Sequence, residues 1–171
     1  MLIHKRLLPL AQDATVLFPY DDPNEIIDVR NLTDIPEHNI KFKQADLIDL
    51  DKKFFNLSDS LSCLHAIEHF GLGRYNDKLD PDGHIKGFVN LCKMLKPNGL
   101  LYISFPIGQP RVYFNAHRVF SPQEILFWIE ENDLDISIIR YDFVDDNGDY
   151  NLKYNMQNIT EDFFLPVRGG D

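Results

Sequence analysis

The chain has 171 residues, enough for one core of ordinary domain size. Its net charge of −10 disfavours nucleic acid as a partner, because phosphate binding depends on clustered lysine and arginine. No apolar run approaches the ~20 residues that a membrane span needs. Residues 1–10 lack the long apolar centre and small-residue cleavage site of a secretory signal, so a cytoplasmic location is expected. The two cysteines, Cys63 and Cys92, fall in apolar contexts with no CxxC pair, and are read as buried, reduced thiols.

In chain order, Leu2, Leu7, Leu8 and Leu10 form a weak helical pattern broken by Pro9. Thr15–Phe18 reads as a short strand, stopped by the turn chemistry of Pro19–Pro23. Glu25–Arg30 is a stronger strand with Asp28 near its end, followed by a polar turn over Asn31–Asn39. Ile40–Asp46 is a further strand that again delivers an acid, and Leu47–Asn56 is a short helical or looped crossover. After the polar loop Asn76–Gly83, an amphipathic helix runs from an Asp82 or Gly83 cap to Lys96-Pro-Asn-Gly99, where proline forbids continuation. Leu100–Phe105 is a nearly continuous apolar strand, and a long loop over Gln109–Ser121 follows. Ser121-Pro-Gln-Glu124 starts a second helix, with serine as cap and proline at the first helical position. Leu134–Val144 reads as a strand, Asp145–Gly148 as a hairpin turn and Leu152–Tyr154 as an antiparallel return. The dense acid between Asp133 and Asp149 is taken as a solvated loop and strand edge.

The most informative stretch is Leu61–Tyr75. A short apolar run, Leu61–Leu64, has the length of a buried parallel strand. His65, Glu68, His69, Arg74 and Tyr75 then arrive together, with Gly71 and Gly73 between them. An apolar strand ending in such a cluster is how an α/β sheet presents a site at its carboxyl edge. His65-x-x-Glu68-His69 also spells an inverted zinc-peptidase signature, but that chemistry needs both histidines on a helix. No metal site is expected from a pattern that emerges from a strand. On the loop before Ser121, Arg111, Asn115, His117 and Arg118 suit a phosphate, carboxylate or sugar-acid ligand, since arginine grips such groups with a planar fork.

Taken together these strings resemble a class I S-adenosylmethionine-dependent methyltransferase. They are Asp28 and Ala45-Asp46 at two strand ends, His65-Ala-Ile-Glu-His69 after the third, and Leu95-Lys-Pro-Asn-Gly-Leu-Leu101. Gly71-Leu-Gly-Arg-Tyr75, Asp80-Pro-Asp-Gly-His84, Pro106-Ile-Gly108 and Phe114–Pro122 are similar to an uncharacterised group of that superfamily often met in surface-polysaccharide gene clusters. The resemblance spans roughly residues 25–148. It implies a three-layer Rossmann-like methyltransferase sheet, mostly parallel, in a single domain over 1–171, with an atypical segment at 1–24 and an irregular tail at 155–171. It implies S-adenosylmethionine as cofactor, with Asp28 accepting from the ribose hydroxyls, Asp46 facing the adenine amine and Leu47 beside the ring. His65 and Ala66 would line the methionine side. His69 and His117 would be catalytic, orienting or deprotonating an acceptor hydroxyl. Glu68, Arg74, Tyr75, Arg111, Asn115 and Arg118 would bind the acceptor, a small molecule such as a sugar or sugar phosphate.

The family's glycine-rich first turn has no counterpart before Glu25, so the fold is expected to be truncated at its N-terminus. Residues 19–25 are too few for a parallel crossover with its helix, which takes at least ~10–12. A second expectation follows: a degenerate, non-catalytic relative acting as a binding or assembly subunit, paired as a homodimer through the face left bare. Plainer roles stand beside each site. Asp28 and Asp46 could be strand-end turn formers, Glu68 a helix-start acid, His69 a partner of a loop carbonyl, and Arg118 a pin holding its loop to nearby carboxylates.

Overall fold

The computed structural model describes residues 16–17, 24–31, 40–75, 77–113 and 115–153. The apolar pattern of residues 2–10, the turn at 19–23, most of the turn at 31–39 and the tail from 155 lie outside the described residues. The chain divides into two compact units, Met1–Ser121 and Pro122–Asp171.

The first unit is built on a five-stranded sheet of order β3-β2-β1-β4-β5. Its strands are β1 (Val16–Leu17), β2 (Asn24–Asp28), β3 (Ile40–Gln44), β4 (Ser58–Leu64) and β5 (Leu95–Ser104). β2 pairs with β3 and β4 with β5 in parallel, but β1, in the centre, runs antiparallel to both its neighbours. Only residues 18–23 separate β1 from β2, a connection too short to carry a helix back over the sheet. A short link can only reverse the chain, and it does.

That reversal overturns the expected three-layer, mostly parallel Rossmann-like sheet. Two of the main sheet's four ladders, β1–β2 and β1–β4, are antiparallel, and the described residues hold two α-helices. The described residues also form two separate two-stranded sheets, both antiparallel. The described part of the first unit has one α-helix, α1 (Gly83–Met94), in the crossover from β4 to β5.

Why these residues form these elements is plain for the middle of the chain. Leu61 and Cys63 of β4 are fully buried, which fits the short apolar run, and Ile26 and Ile27 do the same for β2. α1 buries Phe88, Leu91 and Met94, each worth roughly 1.5–3 kcal/mol. Asp82 stands at its N-cap position without a side-chain capping bond, and its amide instead donates to Asp80 Oδ1 at 3.0 Å. β5 begins directly after the helix. Lys96–Gly99 interrupts its ladder, because Ser58 pairs with Leu95 whereas Ser60 pairs with Leu100. The loop after β5 contains a small ribbon, β6 (Arg111–Val112) against β7 (Arg118–Val119).

In the second unit α2 (Pro122–Glu131) starts at the proline, as the motif predicts, and buries Ile125 and Trp128. The expected strand over 134–144 forms only at its end, as β8 (Tyr141–Val144) against β9 (Tyr150–Lys153). In that ladder Tyr141 pairs with Lys153 and Val144 with Tyr150. The turn between them is the expected hairpin turn, with Asp145 Oδ1 accepting from the amides of Asn147 and Asp149 at 3.0 and 2.9 Å.

Gly71 shows how tightly the loop after β4 is packed. It adopts φ +74, and a Cβ there would stand 2.1 Å from the carbonyl oxygen of Asp80. Gly71→Ala therefore combines backbone strain with a backbone clash, and is expected to cost about 2 kcal/mol or more in urea denaturation. An unchanged midpoint would show that this turn does not hold the fold.

Candidate functional site

β2 and β3 run in parallel with Asp28 opposite Gln44, so both end at the same edge of the sheet. β4 points the same way, since β1 is antiparallel to both it and β2. Three chain segments therefore leave the sheet at one rim. They enclose a small cleft, of about 30 Å³, between Asp28, Asp46, Leu47 and Ile48 on one side and His69, Phe70 and Tyr75 on the other.

Asp28 is the best-buried acid of the rim, its side chain fully covered. Both its oxygens are taken by Arg30: Oδ1 accepts from the amide and Nε at 2.8 and 3.0 Å, and Oδ2 from Nη2 at 2.8 Å. The guanidinium also lies 4.8 Å from the centre of the Tyr75 ring. Arg30 is the functional residue that the sequence reading missed. The signal was the Asp-x-Arg spacing, which puts two side chains on one face of an extended segment. Asp46 forms a local turn, Oδ1 accepting from the Ile48 amide at 2.8 Å, and leaves Leu47 buried beside the cleft.

The chain reverses sharply after β4. His65 takes φ 50, and its amide donates to the Ser104 carbonyl at 3.0 Å at the end of β5. A 3-10 turn, Ile67–His69, follows and buries Ala66, Ile67 and Glu68, while the His65 side chain stays exposed. Glu68 Oε1 lies 3.4 Å from His65 Nδ1 and 3.9 Å from His69 Nε2. Its Oε2 is buried with no hydrogen-bond partner among the described residues. Hydrogen bonding to Glu68, helped by its charge, raises the pKa of His65 above the ordinary histidine value, against a smaller opposing effect of burial.

His69 is fixed from the other side, its Nδ1 being 2.6 Å from the Ala116 carbonyl oxygen. A carbonyl only accepts, so Nδ1 carries the proton and Nε2 the lone pair of the neutral ring. Tyr75 and His117 stand edge-on to His69, at 5.7 and 6.3 Å between ring centres. Both are thus near the cleft, His117 through the β6–β7 ribbon.

The remaining candidates separate. Arg74 is exposed and lies 5.6 Å from the Tyr75 ring centre. Arg111 is exposed at the ribbon, its Nε donating to Tyr113 Oη at 2.8 Å, and Asn115, at φ 50, forms the turn between β6 and β7. Arg118 turns inward and leaves the acceptor group. It is 5% exposed, and its guanidinium donates to the carbonyls of Phe70, Pro81 and Asp80. The pin acts on carbonyl oxygens rather than carboxylates. Burial lowers its pKa, partly offset by Asp77, Asp80 and Asp82 nearby. Burial pushes the thiols of Cys63 and Cys92 up to about 12, so neither serves as a nucleophile at neutral pH. Among the described residues no group of three or more His, Cys, Asp or Glu side chains could hold a metal ion. No described helix is long and apolar enough to cross a membrane.

Fold and site together define a mixed α/β protein with an acid-rimmed cleft at parallel strand ends. Residues 24–134 match the family described as Caenorhabditis protein of unknown function, DUF268, and the chain belongs to it. The match begins at β2 and ends just past α2, so it holds every candidate site residue. No curated protein and no solved structure matches the chain.

Two measurements check this account of the loop. Arg118→Ala removes the guanidinium from the carbonyls of Phe70 and Pro81 and empties a buried site, and is expected to cost about 3 kcal/mol in chemical denaturation, whereas Arg111→Ala stays within about 0.5 kcal/mol. Equal effects would refute the distinction. His84 stacks on Phe120 at 5.4 Å, and burial, then the Arg118 charge, lowers its pKa to about 4. The unfolded chain takes up that proton near 6.5 and the folded chain only near 4. Stability therefore falls as pH drops through this window, and His84→Phe should flatten the fall in thermal melts.

Proposed function

We propose that the chain is an S-adenosylmethionine-dependent methyltransferase acting on a small molecule, with a sugar or polysaccharide precursor as acceptor, in the cytoplasm. The observation that carries this reading is the placement of Asp28 and Asp46 at the ends of two adjacent parallel strands, facing one cleft with Leu47. This donor set suits a nucleoside. Carboxylates accept from ribose hydroxyls and from an exocyclic amine, and an aliphatic wall takes the flat face of a base.

Room is the condition. A space of about 30 Å³ takes a water molecule or two, far short of the roughly 300 Å³ or more of small-molecule pockets. Binding therefore requires Arg30 to release Asp28 and Tyr75 to move with it. Asp28, Asp46 and Leu47 then hold the nucleoside, with His65 and Ala66 toward the methionine end. The bound cofactor supplies an electrophilic methyl group. His69, oriented by the Ala116 carbonyl, and His117 position the acceptor hydroxyl, and much of the rate comes from that positioning. Arg74, Arg111 and Asn115, exposed around the opening, take the polar or anionic part of the acceptor.

The same Arg30 clamp favours a second reading, a relative that has given up the cofactor and serves as a binding or assembly subunit. An arginine that fills both faces of the ribose-binding acid is what such a loss leaves behind. The exposed Leu100 and Tyr102 of β5, an outer strand of the described sheet, support pairing with a second copy.

Calorimetric titration separates the two. The enzyme reading expects saturable binding of S-adenosylmethionine and S-adenosylhomocysteine, weakened about tenfold or more by Asp28→Ala, which is about 1.4 kcal/mol. Arg30→Ala, which removes the competitor, tightens it. Heat absent at millimolar ligand, together with a dimer by light scattering, sinks the enzyme and supports the subunit.

A further inference from the structure

The turn after β4 buries an acid and exposes a base. The Glu68 side chain is 3% exposed, while that of His65 is 63% exposed. A carboxylate placed there without its full set of partners is unfavourable by itself, because it loses water and gains little in return. Oε1 lies 3.4 Å from His65 Nδ1, the His69 nitrogen 3.9 Å away carries the lone pair of its ring and donates nothing, and Oε2 has no hydrogen-bond partner among the described residues. The other ionisable group that Glu68 influences is the buried Cys63 thiol, which is held protonated.

The direction of the proton on His65 follows from this geometry. A carboxylate only accepts, so the nitrogen facing it, Nδ1, is the donor. The lone pair of the neutral ring then sits on Nε2, on the exposed side of an exposed residue. The backbone holds this arrangement: the left-handed turn at His65 is tied to the end of β5 through Ser104, whose carbonyl and Oγ lie 3.0 and 3.2 Å from the His65 amide. A buried carboxylate, an imidazole with a fixed tautomer and a free nitrogen at the surface make up the positioning part of a general-base pair.

We propose that His65 is the base that takes the proton from the acceptor hydroxyl, with Glu68 as its positioning residue. The inference rests on the methyltransferase reading above and moves the proton step from His69 and His117 to His65. The acceptor O–H bond breaks and its proton goes to His65 Nε2. The oxygen's electron pair forms the new bond to the methyl carbon, as the carbon–sulfur bond of the sulfonium donor breaks with its pair remaining on sulfur. Glu68 stays ionised throughout and stabilises the imidazolium that forms. His69 lies across Glu68 from His65 and lines the cleft, so the acceptor sits at the outer rim, beyond the nucleoside.

The test is a nitrogen-detected NMR titration of the full chain, with His65 assigned through His65→Gln. The expected result is a neutral His65 protonated at Nδ1 in the wild type, and a titration midpoint that shifts to lower pH in Glu68→Gln. A wild-type His65 protonated at Nε2, or a midpoint that Glu68→Gln leaves in place, overturns the proposal. Where Glu68→Gln does not fold, the wild-type tautomer decides alone. S-adenosylhomocysteine added to the same samples reports on the parent reading. Bound nucleoside with an ordinary His65 sinks the base assignment only, whereas an intact His65–Glu68 pair without nucleoside binding sinks the methyltransferase and with it the proton step.

Discussion

The structure of the first unit depends on one buried guanidinium. Arg118 reaches from β7 to the carbonyls of Phe70, Asp80 and Pro81, and so joins the ribbon, the turn after β4 and the approach to α1. A guanidinium carries five donors in a fixed plane, which lets one side chain satisfy carbonyls that no regular ladder reaches. Around it the loop makes its own supports. Asp77 accepts from the amides of Gly71 and Tyr75, and Lys86 pairs with Asp80. Gly71 has no side chain to obstruct the crossing, and Gly87 leaves room for the Phe70 ring against α1. Without this knot, His69, Phe70 and Tyr75 would have no fixed place opposite Asp28 and Asp46.

The site combines two kinds of electrostatic arrangement. At Asp28 the buried carboxylate is fully matched by Arg30, a low-energy state that also fills the space a ligand needs. At Glu68 the match is incomplete, one oxygen facing His65 alone as a donor and the other without a hydrogen-bond partner among the described residues. Fully satisfied ion pairs rigidify a fold, while incomplete ones mark places where a ligand or a proton has work to do. The two follow β2 and β4, which point the same way on either side of β1, and His69 and Tyr75 line the cleft beside Asp28.

The reversed central strand explains why the first unit departs from its resemblance without losing the rim. β1 contributes two described residues to the ladder. The glycine-rich turn that would cradle a cofactor phosphate or carboxylate has no equivalent on a strand running the other way. β2, β3 and β4 keep their common direction even so, and the acids they carry still converge. What the strand ends supply is the common edge at which Asp28 and Asp46 line one cleft.

Much of this was legible in the residues themselves. Apolar runs with an acid at the end placed β2, β3 and β4. Helix punctuation placed α1 and α2, and Asp145–Gly148 placed the hairpin, because each of these rests on local chemistry. Strand-end placement also brings Asp28, Asp46 and His69 to one cleft, whereas Glu68, expected to join them, lies outside its lining and is buried in the turn after β4. The short link before β2 already excluded a parallel β1, but its place between β2 and β4 was not legible, because a two-residue strand carries no pattern and β4 lies far away in sequence. Nor was the fate of Arg118 and Arg30. An arginine in a loop reads the same whether it faces solvent, grips a carbonyl or closes on an acid, and only packing decides which. Sequence alone determined both described helices, strands β2 to β4 and the residue types available at the rim, but not the β6–β7 ribbon or the short extent of β8. Tertiary structure decided which charges are free to act, since burial and partner geometry are set by segments tens of residues apart.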